Sequence, residues 1–359
     1  MSPDPTSPIR RAIRAMAGYT PGEQPRGGEF IKLNTNENPY PPSPRVFEAI
    51  RAALTGDRLR KYPDPLGGDF RRAAAKVLGV EPDMILIGNG SDDILTILTR
   101  AFVPEGGLVV SPTPSYILYR TLAEIQGARF QTVPYTMPDW DLPWPARGAN
   151  LTFVANPNSP SGTTLTLGTL ERLAEEVDAP LVIDEAYVDF ADDNALPLLQ
   201  RHRNVIITRS LSKSYSLAGI RFGFAVADAA IVSELVKVKD SYNCDVLSLT
   251  AATAALDDQS YLRETVGKIR ETRRRLADGM RALGFQVTPS EANFVWCREP
   301  ASCVRKYYDT LKEQRILVRY MNYPEYGEGL RISVGSDQEI EVALGRIREA
   351  KQQVEGTVA

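Results

Sequence analysis

The sequence predicts an α/β fold: a three-layer sandwich around a mostly parallel central sheet, with a smaller α/β domain at the C-terminal end. Three observations carry that reading. Short apolar runs alternate with helix-patterned segments from about Met84 to Val226, the rhythm of βαβ units. Those runs are apolar at nearly every position, so both faces of their sheet are to be covered. At 359 residues the chain exceeds the roughly 150 residues of an average domain, and its texture changes near residue 260.

The elements follow in order. IRRAIRAMA, residues 9–17, predicts a short basic surface helix within an N-terminal arm of residues 1–28. After NENPYPPSPRV, the residues Val46, Phe47, Ile50 and Leu54 recur at helical spacing and predict a helix. KYPDPLGG is a loop by its proline and glycine content, and DFRRAAAKVLGV resumes a helical pattern. Strand-like runs then lead into helices: MILIGNG into SDDILTILTRAF, GLVVSPTPSY into ILYRTLAEIQG, and LTFVANPNSPSG into TLERLAEEV. PLVIDEAYVDF, NVIITRSLSKSYSLAG and RFGFAVA complete a large domain assigned to residues 29–245. Residues 246–359 predict the small domain, joined by part of the N-terminal segment. It holds a long charged helix, YLRETVGKIRETRRRLADGMRALG, then FQVT, ANFVWCR, ILVRY and GLRISVG, and a terminal helix, DQEIEVALGRIREAKQQ.

Composition removes several functional classes. With 42 basic and 45 acidic residues the net charge is −3, so no global basic field draws the chain to nucleic acid or an anionic membrane. RETVGKIRETRRR reads as a solvated helix face. Cys244, Cys297 and Cys303 are too few for a disulfide scaffold and lack zinc-ligand spacing. The single histidine, His202, reads as a loop residue and argues against a histidine-based metal site or a Ser-His-Asp triad. No run approaches the roughly 18 consecutive apolar residues of a membrane span. MSPDPTSPIRRAIRAMAGYT has no apolar core of the signal-peptide kind, so the cytoplasm is the expected compartment.

The chemistry-bearing residues fall just after successive strands, where open parallel sheets place their ligands. PLVIDEAY brings Asp184, Glu185 and Tyr187, and NVIITRSLSKSYSLAGIRFG brings Ser210, Ser212, Lys213 and Arg221. GNGSDD, residues 88–93, sits at a strand-to-helix turn, and NPNSPSG, residues 156–162, closes a further strand. Singly, each has an ordinary reading: a surface lysine, a helix cap, a core-edge tyrosine. Jointly they supply what pyridoxal phosphate requires. Lys213 can hold the aldehyde as a Schiff base, and a buried Asp184 can keep the pyridine nitrogen protonated, so that the ring withdraws electrons. Tyr187, three residues further on, offers a hydroxyl to the ring oxygen. Gly90, Ser91 and Asp92 open a helix whose N–H groups suit the phosphate, joined by Ser210 and Arg221. Tyr116 offers an aromatic face to the ring.

From about Ile9 to Arg348 the chain resembles the fold-type I pyridoxal-phosphate aminotransferases, class I/II branch. The resemblance runs through KLNTNENPYPPSP, KYPDP, GNGSDD, NPNSPSG, IDEAYVDF, TRSLSKSYSLAGIRFGF and GLRISVG, and SLSKxxxLAGxRxG after a DEAY strand is its most specific part. It implies the architecture of type I pyridoxal-phosphate transferases, with Lys213 as the cofactor lysine, Asp184 at the pyridine nitrogen and Tyr187 at the ring hydroxyl. It further implies Ser91, Asp92, Ser210 and Arg221 at the phosphate, with Ser212 beside them, and Tyr116 stacked on the ring. Tyr62 of KYPDP would reach the phosphate of the neighbouring subunit, giving a homodimer with shared active sites. Arg331, joined by Arg319, would bind the substrate's anionic group, and Tyr19 and Asn36 would line its pocket. The implied activity is transamination from histidinol phosphate to 2-oxoglutarate, without metal, nucleic acid or membrane. The family places asparagine directly before the proline of its NPTG-like turn. Here Ser159 stands there and Asn158 one residue earlier, so either is a candidate for the ring oxygen. The motifs scarcely separate transamination from decarboxylation of threonine phosphate, or from transamination of aromatic amino acids. A non-catalytic cofactor-binding module is disfavoured by the joint presence of Lys213, Asp184 and Arg221.

Overall fold

The computed structural model describes residues 6, 8–18, 22–25, 27–143, 147–299 and 304–356. A short helix, α1 (Arg11–Ala15), precedes strand β1 (Ile31–Lys32). Three helices follow: α2 (Pro44–Ala53), α3 (Gly56–Leu59) and α4 (Gly68–Leu78). The Ser43 hydroxyl caps α2 by accepting from the Arg45 amide, and Pro44 sits in the first turn, where its missing N–H costs nothing. The alternating part comprises β2 (Ile85–Gly88), α5 (Ser91–Phe102), β3 (Leu108–Thr113), α6 (Leu118–Gln126) and β4 (Arg129–Pro134). It continues through β5 (Leu151–Ala155), α7 (Leu167–Glu176), β6 (Leu181–Asp184) and β7 (Val205–Ser210) to β8 (Gly223–Val226) and α8 (Ala229–Leu235).

Strands β2 to β8 form one sheet in the order β2-β8-β7-β6-β5-β3-β4. All neighbours are parallel except β8, which runs antiparallel to both β2 and β7. Every residue of β2, β5, β6 and β8 is buried, as a sheet covered on both faces requires. Successive residues face opposite cores. Phe153, Val182 and Ile206 pack with Leu95, Leu98 and Tyr119 of α5 and α6, whereas Val154, Ile183 and Ile207 pack with Leu170 and Leu173 of α7.

Helix α9 (Val246–Leu256) leads to the long α10 (Gln259–Ala282), and β9 (Gln286–Val287), β10 (Phe294–Arg298) and α11 (Val304–Glu313) follow. The chain then forms β11 (Ile316–Leu317), β12 (Arg319–Tyr323), β13 (Gly327–Ser333) and α12 (Asp337–Gly356). The small sheet has the order β12-β13-β10-β9 and is antiparallel throughout. β1 pairs in parallel with β11, Ile31 opposite Ile316, and Leu33 enters the small domain's core.

Several details differ from the sequence reading. α9 lies past the expected division at residue 245, yet Ala251, Ala252, Ala255 and Leu256 pack with Phe70 and Phe224 of the large body. VLSLTAATAAL has no charged face to offer water, so it buries itself, and the small body starts at α10. The stretch around Leu33, inside the range 29–245, packs in the small core because β1 pairs there, so it is part of the N-terminal segment expected to join the small domain. Phe47 and Leu54 of the expected apolar face remain 44% and 54% exposed, while Val46 is buried. Arg273, in the run read as solvated, is also buried: it donates to the carbonyls of Phe190 and Ala292 and pairs with Glu291. His202 stands in a turn, its Nε2 3.5 Å from Glu171. Cys244 and Cys297 are buried and unpaired, and Cys303 lies outside the described residues. Among the described residues no helix is long and apolar enough to cross a membrane.

Candidate active site

A cavity of about 500 Å³ opens at the C-terminal ends of the parallel strands, with walls from both bodies. Its floor is an anion cradle. α5 starts at Ser91 because Gly90 takes φ 84°, a conformation that side-chain-bearing residues rarely adopt. A Cβ at Gly90 would also lie only 2.8 Å from the Arg221 guanidinium. Arg221 Nη2 stands 3.6 Å from Asp92, and its Nη1 donates to Ser212 Oγ at 3.4 Å. Ser210 faces the same space from the end of β7. A helix start, hydroxyls and a guanidinium therefore converge, an arrangement whose chemistry suits a phosphate.

Asp184 ends β6 beside the cradle, only 5% exposed. The Tyr119 hydroxyl donates to its Oδ2 at 2.7 Å, and the Thr208 hydroxyl and Ala186 amide donate to Oδ1 at 3.1 and 3.2 Å. Burial nonetheless dominates and pushes the carboxyl up to about 6. Lys213 Nζ donates to the Thr35 carbonyl at 3.2 Å, and its own carbonyl accepts from Asn38 Nδ2 at 3.1 Å. Asn36 Nδ2 donates to the Tyr187 hydroxyl at 2.9 Å, and Tyr116 donates to Asp92 Oδ1 at 3.2 Å. On the small-domain side Arg331 and Arg319 are register partners on adjacent strands, and both line the cavity. Arg331 donates to Ser159 Oγ at 3.0 Å and to the Asn34 carbonyl at 3.2 Å.

The cavity thus gathers Asn36, Ser91, Asp92, Tyr116, Ser159, Asp184, Tyr187, Ser210, Ser212, Lys213, Arg221, Arg319 and Arg331. Gly90 lies just behind it, at the start of α5. Asn158 does not face it: its amide donates to the Pro114 carbonyl and Ser161 and accepts from Ser115. Of the two candidates for the ring oxygen, Ser159 therefore faces the cavity and Asn158 serves its own turn. Tyr62 is 80% exposed, outside its own chain's cavity, and stacks on Tyr242 with centroids 4.3 Å apart. Tyr19 lies outside the described residues. Sequence reading passed over Tyr119, Thr208 and Asn38. Tyr119 lies in the first turn of α6 and is fully buried, so the apolar pattern gives it no signal beyond core.

Fold and site together define a pyridoxal-phosphate transferase type, and residues 28–347 match the family of aminotransferases class I and II. The chain belongs to that family. It is 53% identical over 349 residues to a histidinol-phosphate aminotransferase of Rhodopirellula baltica, covering 96% of each chain. It is 47% identical to histidinol-phosphate aminotransferase 1 of Trichormus variabilis, over 96% of this chain and 99% of that one. Its fold is similar to that of a histidinol-phosphate aminotransferase from Sinorhizobium meliloti solved in complex with pyridoxal-5'-phosphate. The TM-score there is 0.85 at 29% identity, over 97% of this chain and 98% of that chain.

The residues present fit such a group: an amine for an aldehyde, a buried carboxylate for a pyridinium, and a cradle for a phosphate. The carboxylate's burial has a measurable signature. With its folded pKa near 6 against about 3.9 unfolded, Asp184 holds a proton in the folded state over that interval. Its contribution to stability is therefore present at low pH and lost as pH rises through 6. Thermal unfolding of cofactor-free protein between about pH 4 and 6.5 should show this fall, and Asp184→Asn should flatten it. An unchanged slope in the variant would contradict the assignment.

Proposed function

We propose that the chain is a pyridoxal-phosphate-dependent aminotransferase that moves the amino group of histidinol phosphate to 2-oxoglutarate, a step of histidine biosynthesis. The observation that carries the reading is one cavity shared by the Lys213 amine, the buried Asp184 carboxylate and the Arg319–Arg331 pair. Bound there, the cofactor supplies an electrophilic carbon and an electron sink. Lys213 Nζ would take the proton from the donor's α-carbon and deliver it two bonds away, to the carbon beyond the donor nitrogen, the work of a general base and then a general acid. Between those transfers the Thr35 carbonyl gives the amine a resting partner. Asp184 holds the proton on the ring nitrogen. Tyr187, itself held by Asn36, steadies the ring oxygen. Ser91, Ser210, Ser212 and Arg221 hold the cofactor's phosphate, and Tyr116 covers the ring. The large body carries Lys213, Asp184, Tyr187 and the phosphate cradle, and the small body carries the two arginines on β12 and β13.

Histidinol phosphate has a phosphate and no carboxylate. Two adjacent guanidinium groups suit that dianion better than one. Arg319→Ala should raise KM for histidinol phosphate by about 10–100-fold, the loss of a charge-assisted contact, and KM for glutamate by much less. Equal losses on both substrates would argue for a structural role. The assignment itself is tested by following glutamate formation from histidinol phosphate and 2-oxoglutarate. Release of carbon dioxide from threonine phosphate without any need for 2-oxoglutarate would overturn it.

The same reading makes the enzyme a homodimer: the family resemblance has Tyr62 reach the neighbouring subunit's phosphate, and Tyr62 is exposed and outside its own chain's cavity. Mixing inactive Tyr62→Ala with inactive Lys213→Ala subunits should restore activity, since one site of each heterodimer keeps both residues. Mixed dimers without activity, or a fully active monomer, would refute shared sites. The cytoplasm is the compartment proposed, since a phosphate dianion does not cross a bilayer unaided and the enzyme must work where its substrate is made.

A further inference from the structure

The Asp184 carboxylate meets two hydroxyls that no part of the reaction scheme uses. Tyr119, on α6, is fully buried and stacks on Phe153 with centroids 4.7 Å apart and planes 7° from parallel. Its edge meets the Tyr116 ring at 87° and 5.6 Å, so it packs between the tyrosine that faces the cavity and the carboxylate below. Its hydroxyl donates to Asp184 Oδ2 at 2.7 Å. Thr208, also fully buried, donates to Oδ1 at 3.1 Å from the neighbouring strand.

We propose that Tyr119 is a positioning residue for the reaction, which fixes the Asp184 carboxylate against the ring nitrogen and, with Thr208, keeps its negative charge in place. The inference rests on the reading of Asp184 given above. A buried carboxylate without donors would tend to keep a proton for itself. Each hydroxyl bond favours the ionised form, so the shared proton stays on the ring nitrogen, where electron withdrawal needs it. Tyr119 remains a donor throughout the working range, because burial, and then the charge of Asp184, raise its own pKa well above the ordinary phenol value. Other groups that bear on this pair are the Ala186 amide, which also donates to Asp184 Oδ1, Asp92, whose charge disfavours ionisation of Asp184, and Tyr116 and Tyr135, whose electrostatics raise the Tyr119 pKa further.

The cofactor-loaded enzyme tests this through the pH midpoint of the bound cofactor's absorbance change. That midpoint reports the nitrogen bonded to Lys213, which holds its proton to higher pH when the ring nitrogen is less charged. Tyr119→Phe removes one oxygen and keeps the stacking. It should raise the midpoint by about one pH unit, the worth of a hydrogen bond to a charged group. It should also lower kcat by about tenfold, with KM for glutamate changed less than about twofold. Adding Tyr119→Phe to Asp184→Asn should move the midpoint no further than Asp184→Asn alone. Phe153→Leu, which loosens the stack and keeps the hydroxyl, should lower Tm and leave the midpoint in place. A Tyr119→Phe midpoint equal to wild type, with Asp184→Asn shifted, would overturn the inference and leave the assignment of Asp184 standing. A Phe153→Leu shift as large as that of Tyr119→Phe would reduce the effect to packing and overturn it too. An Asp184→Asn midpoint equal to wild type would take down the role of Asp184, and the inference with it.

Discussion

Lys213→Ala is expected to lose transamination by about 10⁴-fold or more, because one side chain both anchors the cofactor and carries the proton. The loss should fall on kcat, with the fold unchanged. Lys213 lies in a polar turn held by other atoms: Asn38 spans the carbonyls of residues 213 and 214, and Ser214 donates to Asp189. None of these contacts involves the Lys213 side chain, so Tm should move little. Borohydride reduction of wild-type enzyme with pyridoxal phosphate should label Lys213 and no other lysine, read by peptide mass. Label on another lysine would remove the foundation of the site.

Asp184→Asn should cost about 10³-fold in kcat, the order seen when a single buried electrostatic partner is removed from a reaction centre. The amide keeps the volume and can still meet Tyr119 and Thr208, so the protein should fold and bind cofactor. What it lacks is the charge that keeps a proton on the ring nitrogen. The deficit should therefore appear in proton abstraction, visible as a larger kinetic isotope effect with α-deuterated donor. Near-normal turnover in this variant would exclude the carboxylate from the mechanism.

Why so much of this site could be read from the chain follows from how parallel sheets are built. Every strand of the large sheet except β8 ends at the same edge, so the residues at and just past the ends of β2, β6 and β7 must converge whatever the loops between them do. Ser91, Asp184, Ser210 and Lys213 are all of this kind, and their local motifs are enough to find them. Asn158 stands at an equivalent place, yet it serves its own turn. Nothing in NPNSPSG tells which of two adjacent polar side chains rotates inward. Tyr119 and Thr208 were missed for another reason. They sit inside a helix and a strand, where the pattern reads them as ordinary core, and only the packing of α6 on the sheet brings one hydroxyl to Asp184. The extent of the small body was also hidden. α9 is apolar enough to join the large core, and β1 finds its partner far along the chain, a pairing no local period records.

That distant pairing bears on the order in which the enzyme comes into being. Asn36 is held by Ser333, which both donates to its side chain and accepts its amide, and Asn293 donates to its carbonyl. Ile31 waits for Ile316. On the ribosome the cradle, the carboxylate and the lysine turn are all translated, and can condense through neighbouring βα units, long before those partners exist. The wall carrying Asn34 to Asn36 closes only when the last small-domain strand has emerged. A nascent chain therefore bears its reactive lysine in an unfinished chamber from Lys213 until Ser333 is made, about a third of its length, and the long-range docking that finishes the chamber is also what makes it competent.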